Sequence, residues 1–152
     1  MKKACFPGSF DPFTKGHEDI VRRGLTLFEE VVIAIGHNTS KQSLFDLNAR
    51  VKHITSLFAG EKRVSVQTYS GLTTVFCEKT GCTHIIRGLR DNKDFNYEQP
   101  IALMNRTMAS IETVFLLPDP VLLAINSTIV REIYKSGGKI DAFVTNPAQL
   151  VN

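Results

Sequence analysis

The sequence predicts an α/β fold in which helices cover both faces of a five-stranded parallel sheet. Five short strand-like segments alternate with helical segments, and a chain that alternates in this way forms a parallel sheet. Residues 31–36 are apolar throughout, which is typical of a parallel strand buried on both faces. No linker, internal repeat or low-complexity segment divides the 152 residues, whose number suits one domain. We therefore expect a single Rossmann-like domain over residues 1–152.

The first half of the chain predicts three strands and three helices. Residues 3–6 form the first strand, and a loop with prolines and glycines leads into an amphipathic helix with apolar residues at helical spacing: Ile20, Val21, Gly24, Leu25 and Phe28. The second strand, 31–36, precedes a polar loop at 37–43, and Asp46 is placed to cap a helix over 47–58. Residues 63–68 alternate as a third strand. Residues 73–79 predict a short helix that Gly81 closes.

The second half continues the alternation. The fourth strand spans 83–86, and a long helical pattern over 92–108 contains Pro100, which should kink or split the helix. The fifth strand spans 112–117 and is followed by an irregular apolar stretch at 121–125. Polar residues at 126–128 offer capping groups for a helix over 129–135. The tail, 139–152, predicts one or two short helical turns, with Pro147 at a helix start.

Composition limits the classes of function. Hydrophobic residues make up 43% and charged residues 22% of the chain, as in a globular protein. No apolar run approaches the length of a membrane span and no signal peptide precedes the first strand, so we expect a cytoplasmic protein. The net charge of +3 is too small to indicate nucleic-acid binding but suits small anionic substrates. Three cysteines cannot all pair and lack zinc-like spacing, so we expect reduced thiols, mostly buried: Cys5, Cys77 and Cys82.

The loop at residues 6–17 predicts an anion site. A strand, a glycine-containing loop and a helix in succession direct backbone N–H groups and a helix N-terminus at an anion, most often a phosphate. Neither the dinucleotide fingerprint nor the P-loop is present, and Thr14-x-Gly16-His17 instead puts a histidine in the first helical turn. Taken singly, Gly8 and Gly16 are explained as well by the needs of a turn and close packing as by an anion site. His17 alone would more often be a surface or capping histidine.

Other polar residues also follow predicted strands. Ser9 follows the first strand, Lys41 the second, and Arg87 and Arg90 the fourth. Because ligands of a doubly wound sheet bind past the carboxyl ends of its strands, we expect these side chains to converge with His17 at one edge.

Each of these residues has a simpler explanation when it is considered alone. The two arginines suit a solvated basic face, Lys41 is a solvated lysine by default, and the cluster at 126–128 is first of all a helix cap. Glu98 is more readily a surface carboxylate or an arginine partner than an acid or base. Three histidines have no constellation around them and are assigned no chemistry: His37, His53 and His84.

The converging residues suit direct transfer between two phosphates. They comprise a histidine, a lysine, two arginines, a glycine loop and a capped helix, without a triad, a metal cage or a close carboxylate pair. Such groups bind and polarise anions but are poor at forming covalent intermediates. In-line phosphoryl chemistry needs them because charge accumulates on non-bridging oxygens, where positioning and electrostatics stabilise it.

Further blocks recur in order after residues 6–17. They are Ser40-Lys41, Ile86-Arg87-Gly88-Leu89-Arg90, Asp94-Phe95-x-Tyr97-Glu98, Met104-Asn105-Arg106 and Ile125-Asn126-Ser127-Thr128-x-Val130-Arg131-Glu132. Over nearly its whole length the chain resembles the nucleotidyltransferases that carry a (His/Thr)-x-Gly-His motif, and among them the bacterial phosphopantetheine adenylyltransferases.

The resemblance implies that ATP and phosphopantetheine give dephospho-coenzyme A and pyrophosphate, with Mg²⁺, as a step of coenzyme A biosynthesis. It implies an ATP side formed by Ser9, Phe10, His17, Gly88, Leu89, Arg90, Glu98, Leu122, Leu123, Ala124, Ile125, Asn126, Ser127 and Thr128. It implies a phosphopantetheine side formed by Ser9, Lys41, Leu72, Thr73, Arg87, Met104 and Asn105.

The resemblance also implies roles and an assembly. His17 would stabilise the transition state at the α-phosphate, Lys41 and Arg87 would hold the attacking phosphate, and Arg90 completes the catalytic set. No residue is assigned as a ligand of the metal. The family is usually hexameric, and neither a nucleic acid nor a membrane is expected as a partner.

Two positions depart from the family pattern. Asn126 stands where a serine is common; an amide can also cap a helix or contact a phosphate, but its bulk differs. Thr14 replaces the histidine of the wider superfamily, which fits the phosphopantetheine branch. The alternatives are a transferase that adenylates nicotinate mononucleotide or cytidylates a phosphorylated polyol, and a non-catalytic module that senses ATP. A sensor would need the glycine loop but no polarising group such as His17.

Overall fold

A computed structural model describes residues 1–38 and 40–151. Thr39, in the predicted loop 37–43, and Asn152, the end of the predicted tail, lie outside the described residues. The strands are β1 Lys3–Gly8, β2 Glu30–Gly36, β3 Val64–Tyr69, β4 His84–Gly88 and β5 Glu112–Leu116. The helices are α1 Lys15–Gly24, α2 Leu47–Leu57, α3 Thr73–Thr80, α4 Asn92–Ala109 and α5 Ser127–Lys135, with 3-10 turns at Pro120–Leu122 and Pro147–Leu150.

The strands form one parallel sheet in the order β3-β2-β1-β4-β5, which confirms the predicted fold class. β2 and β3 are added in turn on one side of β1, and the chain then crosses back to place β4 and β5 on the other side of β1. The switch point therefore lies between β1 and β4, and ligands of such sheets bind in the crevice beyond the carboxyl ends at this point. Gly8 and Gly88 end these two strands and border that crevice.

Alternate residues of the central strands build a core on each face of the sheet. Phe6 and Ile33 share one core with α1 and α2, whereas Cys5 and Val32 share the other with α3. This alternation explains why β2 is apolar throughout, because both of its faces are covered. All three cysteines are buried and unpaired, as the sequence predicts.

A third, smaller core attaches the C-terminal segment to the sheet. Val130 of α5 packs there with Phe45 from the loop before α2 and with residues of the tail, Ile140, Val144 and Leu150. The backbone N–H of Lys15 donates to Phe143 O at 2.8 Å, so the tail also contacts the first turn of α1. The predicted short turn at Pro147 is present.

Two predicted elements differ from the structure. Helix α4 runs without a break from Asn92 to Ala109, so the expected split at Pro100 is wrong. Pro100 removes the partner of the Asn96 carbonyl, but both residues are exposed and water can hydrate that group. Helix α5 begins at Ser127, two residues earlier than predicted, because Asn126 takes the capping position. Within 1–38 and 40–151, no helix is both long and apolar enough to cross a bilayer.

Candidate active site

A first cavity of about 490 Å³ opens at the carboxyl ends of β1 and β4. It brings together most of the predicted ATP side: Ser9, Phe10, His17, Gly88, Arg90, Glu98, Leu122, Ile125, Asn126, Ser127 and Thr128. Arg87 also borders it, whereas Leu89, Leu123 and Ala124 lie outside its lining. The predicted convergence of strand ends with the first turns of α1 and α5 is therefore present.

A second cavity of about 860 Å³ lies beside the first. It brings together five residues of the predicted phosphopantetheine side: Ser9, Lys41, Thr73, Arg87 and Asn105. Leu72 and Met104, which are 61% and 59% exposed, lie outside its lining. The two cavities share part of their walls: Pro7, Gly8, Ser9, Arg87 and Glu98. Ligands in the two cavities would consequently meet at Ser9 and Arg87.

His17 is fixed by a capping box at the start of α1. The backbone N–H of Thr14 donates to His17 Nδ1 at 2.9 Å, and Thr14 Oγ1 accepts from the His17 backbone N–H at 3.4 Å. Because Nδ1 accepts this hydrogen bond, the neutral ring carries its proton on Nε2. Capping therefore sets the tautomer and leaves Nε2–H as the ring N–H group that could donate to a ligand.

Aromatic rings surround the imidazole of His17. Phe10 packs edge-on against it with ring centroids 5.1 Å apart, and Phe6 and Phe13 lie at 6.1 and 5.4 Å. Burial in this environment, assisted by the positive charges of Arg87 and Arg90, lowers the pKa of His17 from 6.5 to about 3. At neutral pH the side chain is a neutral hydrogen-bond donor.

The loop after β1 is shaped by the ring of Phe10. A Cβ at Gly8 would lie 2.8 Å from this ring, so a larger residue there would displace it from His17. Phe10 itself has a φ of 48°, a conformation that a bulky residue seldom adopts outside functional loops. At Gly16 a Cβ would make only an ordinary 3.5 Å contact with Thr14, so close packing does not explain that glycine.

Carboxylates of α4 hold both candidate arginines. Arg87 donates through Nε and Nη2 to the carboxylate of Glu98 and through Nη1 to Pro7 O at 2.6 Å. Arg90 donates through Nε and Nη2 to Asp94 at 3.0 and 3.1 Å, which raises the pKa of Arg90 and lowers that of Asp94. Glu98 is thus an arginine partner, as predicted, but it is buried rather than on the surface.

The N-terminus of α5 closes one side of the first cavity. Asn126 Oδ1 accepts from the Ile129 N–H at 3.0 Å, which confirms the predicted cap. Ser127 Oγ donates to Pro12 O at 2.9 Å and Arg131 Nη1 to Asp11 O at 2.8 Å. Helix α5 is therefore tied to the loop after β1, and its positive dipole end faces the first cavity.

Several residues of the second cavity were not predicted from the sequence. Tyr69 ends β3, and its hydroxyl lies 2.8 Å from Thr73 Oγ1. Its position at the carboxyl end of a predicted strand was a signal that could have identified it. Tyr97 and Ile101 precede Asn105 at four-residue spacing on α4, so they share one helical face. His37, to which no chemistry was assigned, borders this cavity too. No sequence signal marks Thr113, whose buried Oγ1 lacks a partner among the described residues.

The other two histidines, His53 and His84, line neither cavity. His53 is fully buried on α2 and its Nε2 lies 2.8 Å from Thr145 O. His84 packs against Phe28 near the start of β4, with ring centroids 5.2 Å apart.

The acidic groups beside the first cavity are few. Within 1–38 and 40–151, no three His, Cys, Asp or Glu side chains are grouped to hold a metal ion. Asp94 and Glu98 border the cavity, and each is paired with an arginine. Mg²⁺ commonly binds through one or two carboxylates, substrate phosphates and water, and this donor set suits that mode rather than a protein cage.

Comparisons with known proteins identify close relatives. The family model Cytidylyltransferase-like matches residues 5–133. A phosphopantetheine adenylyltransferase of Flavobacterium johnsoniae is 47% identical over 150 residues, which are 99% of each chain. One of Flavobacterium psychrophilum is 46% identical over 144 residues, 95% of each. The solved bifunctional NMN adenylyltransferase/ADP ribose pyrophosphatase of Francisella tularensis has a TM-score of 0.75 at 16% identity, over 96% of this chain and 46% of that chain. This last likeness concerns the fold alone.

Proposed function

The chain belongs to the cytidylyltransferase-like family and, more narrowly, to the phosphopantetheine adenylyltransferases, and we propose that it transfers the adenylyl group of ATP to phosphopantetheine. The observation that carries this proposal is the 47% identity to a protein of that name over 99% of both chains. Two adjoining cavities with shared walls support it, because the reaction needs two substrates whose phosphates meet.

The proposed reaction is a direct in-line displacement. A phosphate oxygen of phosphopantetheine attacks the α-phosphorus of ATP, the bond to the bridging oxygen breaks, and pyrophosphate leaves with the electron pair. Negative charge then builds on the non-bridging oxygens of the α-phosphate. His17 would donate Nε2–H to one of them, and the dipoles of α1 and α5 would add to this stabilisation.

Lys41 and Arg87 would hold the acceptor phosphate in the second cavity. Arg87 is pre-oriented by Glu98 and by Pro7 O, so little side-chain entropy would be lost when the phosphate binds. Lys41 is exposed on the loop after β2 and would act as a mobile point charge. Arg90, held by Asp94, would bind the phosphates of ATP.

Magnesium would be bound mainly by the phosphates of ATP and by water, and it would neutralise charge on the leaving pyrophosphate. Three free, buried thiols are consistent with a cytoplasmic enzyme. We also propose a hexamer, whose number of subunits is what the family resemblance implies. Self-association is supported by a row of exposed apolar side chains on the outer face of α4: Tyr97, Ile101, Met104 and Met108.

Pyrophosphate release from Mg²⁺–ATP tests the proposal. Phosphopantetheine, nicotinate mononucleotide and glycerol phosphate are offered separately, and only the first should support turnover. Double-reciprocal plots should intersect, and no nucleotide should remain on the denatured protein. Turnover with another acceptor would contradict the substrate assignment, and parallel plots with a trapped adenylyl-enzyme would contradict direct transfer.

A further inference from the structure

We propose that Arg50 is a positioning residue that fixes the distance between the two substrate sites. The inference rests on the proposed function, because it concerns how the acceptor phosphate is aligned with the α-phosphate. Arg50 lies on α2, lines neither cavity and is only 5% exposed.

The guanidinium of Arg50 joins two loops. Its Nη1 donates to Ser9 O at 2.6 Å, in the loop after β1 whose residues border both cavities. Its Nε donates to Phe45 O at 3.0 Å and its Nη2 to Ser43 Oγ at 3.2 Å. Ser43 and Phe45 belong to the loop after β2 that carries Lys41. One side chain therefore joins the loop that borders both cavities to the loop that carries Lys41.

Asp11 makes the reciprocal connection between the same loops. It lies in the loop after β1, and its carboxylate accepts from the N–H groups of Leu44 and Phe45, both at 2.8 Å. Asp11 is only 6% exposed, so these bonds are shielded from water. The two loops are thus held by five hydrogen bonds that involve one buried anion and one buried cation.

Stability alone is a poor reason for these charges. Burying a charge costs solvation free energy, and apolar residues of similar volume often stabilise a fold at least as well as buried charged groups. Desolvation lowers the pKa of Arg50, and the negative charges of Asp11 and Asp46, which raise it, do not offset this effect. A planar guanidinium can satisfy three acceptors in fixed directions, whereas an apolar side chain would leave Ser9 O and Phe45 O without their partner.

The consequence concerns Ser9 and Lys41. Ser9 borders both cavities and Lys41 borders the second, so a shift between their loops would change the approach of the acceptor oxygen to the α-phosphorus. Misplacement by about 1 Å can cost on the order of 10²-fold in rate. Binding of either substrate alone needs only its own site and would be little affected.

The test is Arg50→Lys, which keeps the cation but cannot reach three acceptors at once. We expect kcat to fall by about 10- to 100-fold with both substrates saturating, as misplacement would cause. The separate dissociation constants of ATP and phosphopantetheine, measured by calorimetry, should each stay within about threefold. Ser43→Ala removes one exposed contact without threatening the fold, and we expect the same pattern with a kcat loss of about two- to fivefold.

The matched control is Leu57→Ala, two turns further along α2, which weakens packing against the core but removes none of the five hydrogen bonds between the loops. It should lower Tm and leave kcat at 25 °C unchanged. The positioning role is refuted if Arg50→Lys likewise loses only Tm, or if its substrate affinities fall by the same factor as kcat/KM. If Arg50→Lys does not fold, the Ser43→Ala variant decides: a kcat equal to that of the parent protein would refute the positioning role. A parent protein without turnover on phosphopantetheine would instead overturn the proposed function.

Discussion

At the scale of single residues, His17 shows how local structure sets chemistry. Thr14 fixes the ring through Nδ1, Phe10 packs against its edge, and burial keeps it neutral. The side chain is therefore held in place, and its Nε2–H has no partner among the described residues before a ligand binds. A donor that needs no reorganisation during the reaction stabilises a transition state more than a ground state.

Replacing His17 tests this role and separates an enzyme from an ATP sensor. His17→Ala should reduce kcat by roughly 10²–10³-fold, as the loss of one preset donor typically does. ATP affinity by calorimetry should change by only a few-fold. Lys15→Ala in the same helical turn is the control, because that side chain borders neither cavity. Equal losses of turnover and ATP affinity would make His17 a ground-state ligand only.

The lowered pKa of His17 makes stability depend on pH. Its folded pKa is about 3, whereas the unfolded side chain has an ordinary pKa of 6.5, so below pH 6.5 protons bind preferentially to the unfolded chain. The stabilisation from this site is complete above pH 6.5 and is lost progressively as pH falls towards 3. His17→Gln should therefore lose less unfolding free energy than the parent between pH 7.5 and 5, measured by urea denaturation.

His53 provides the reference for that comparison. Desolvation lowers its pKa too, so it contributes a loss of the same sign that is common to the parent and the variant. The difference between the two proteins therefore reports on His17. Parallel losses of stability over this range would show that His17 is protonated equally in the folded and unfolded states.

Lys41 allows a second test, of the acceptor site. It borders the second cavity, and a charged hydrogen bond contributes about 1.5–3 kcal/mol. Lys41→Ala should therefore lower kcat/KM for phosphopantetheine by about 10- to 100-fold, the equivalent of that free energy, while the dissociation constant of ATP changes little. Lys52→Ala, an exposed lysine of α2, is the control. A matching loss of ATP affinity would assign Lys41 to the ATP site or to loop structure.

Most of the site residues that the sequence and the family resemblance predicted do border a cavity, and for those that follow strands the reason is topological. Strand ends meet at one edge, so Ser9, Lys41 and Arg87 could be placed together without coordinates. The exceptions need finer geometry. In residues 122–128, a 3-10 turn and a helix cap decide which side chains face the cavity, and Leu123 and Ala124 do not. No sequence pattern shows that Glu98 is buried against Arg87, because their pairing joins two elements.

At the scale of elements, the helices show which sequence rules are strong. Caps and glycines located the helix ends to within about two residues, since they act within one turn. At Pro100 the expectation was a kink or a split, and the split is absent, because an exposed helix face can hydrate the carbonyl that loses its partner. That exposure is not readable from the local sequence of α4.

Helix α5 provides a test of the departure from the family pattern. Asn126 Oδ1 caps the helix at 3.0 Å, and the N-terminus of this helix borders the first cavity. Asn126→Ala should lower the free energy of unfolding by about 0.5–2 kcal/mol, whereas Asn126→Ser should retain both the cap and the activity. Thermal unfolding and pyrophosphate release would be measured on both variants. A large gain in activity with serine would mean that the asparagine impairs the site or suits a different substrate.

At the scale of the whole molecule, one sheet supports two adjoining cavities with unequal surroundings. The first is enclosed by β1, β4, the N-termini of α1 and α5 and the first turns of α4, whereas later turns of α4 and the ends of β2 and β3 border the second. Within the described chain, Glu98 is the one buried residue of α4. The apolar side chains of this helix remain partly or largely exposed. The protein thus exposes an apolar surface directly beside the second cavity, and the fold of one chain does not cover this surface.

The outer face of α4 accordingly predicts self-association. Tyr97, Ile101, Met104 and Met108 recur at spacings of four, three and four residues, so they form one stripe. An apolar stripe of this kind is typical of subunit interfaces, and the hexamer that we propose would cover it. Sedimentation at micromolar concentration should give about six times the mass of one chain.

Met108→Lys, at a position 55% exposed and outside both cavities, tests the interface. It should shift the assembly to smaller species, because the charge of the lysine would be desolvated at the interface. Leu27→Lys, at a leucine 53% exposed in the loop after α1, should leave the mass unchanged. A parent that sediments as one chain, or a Met108→Lys variant that retains the parental mass, would show that this face is not the interface.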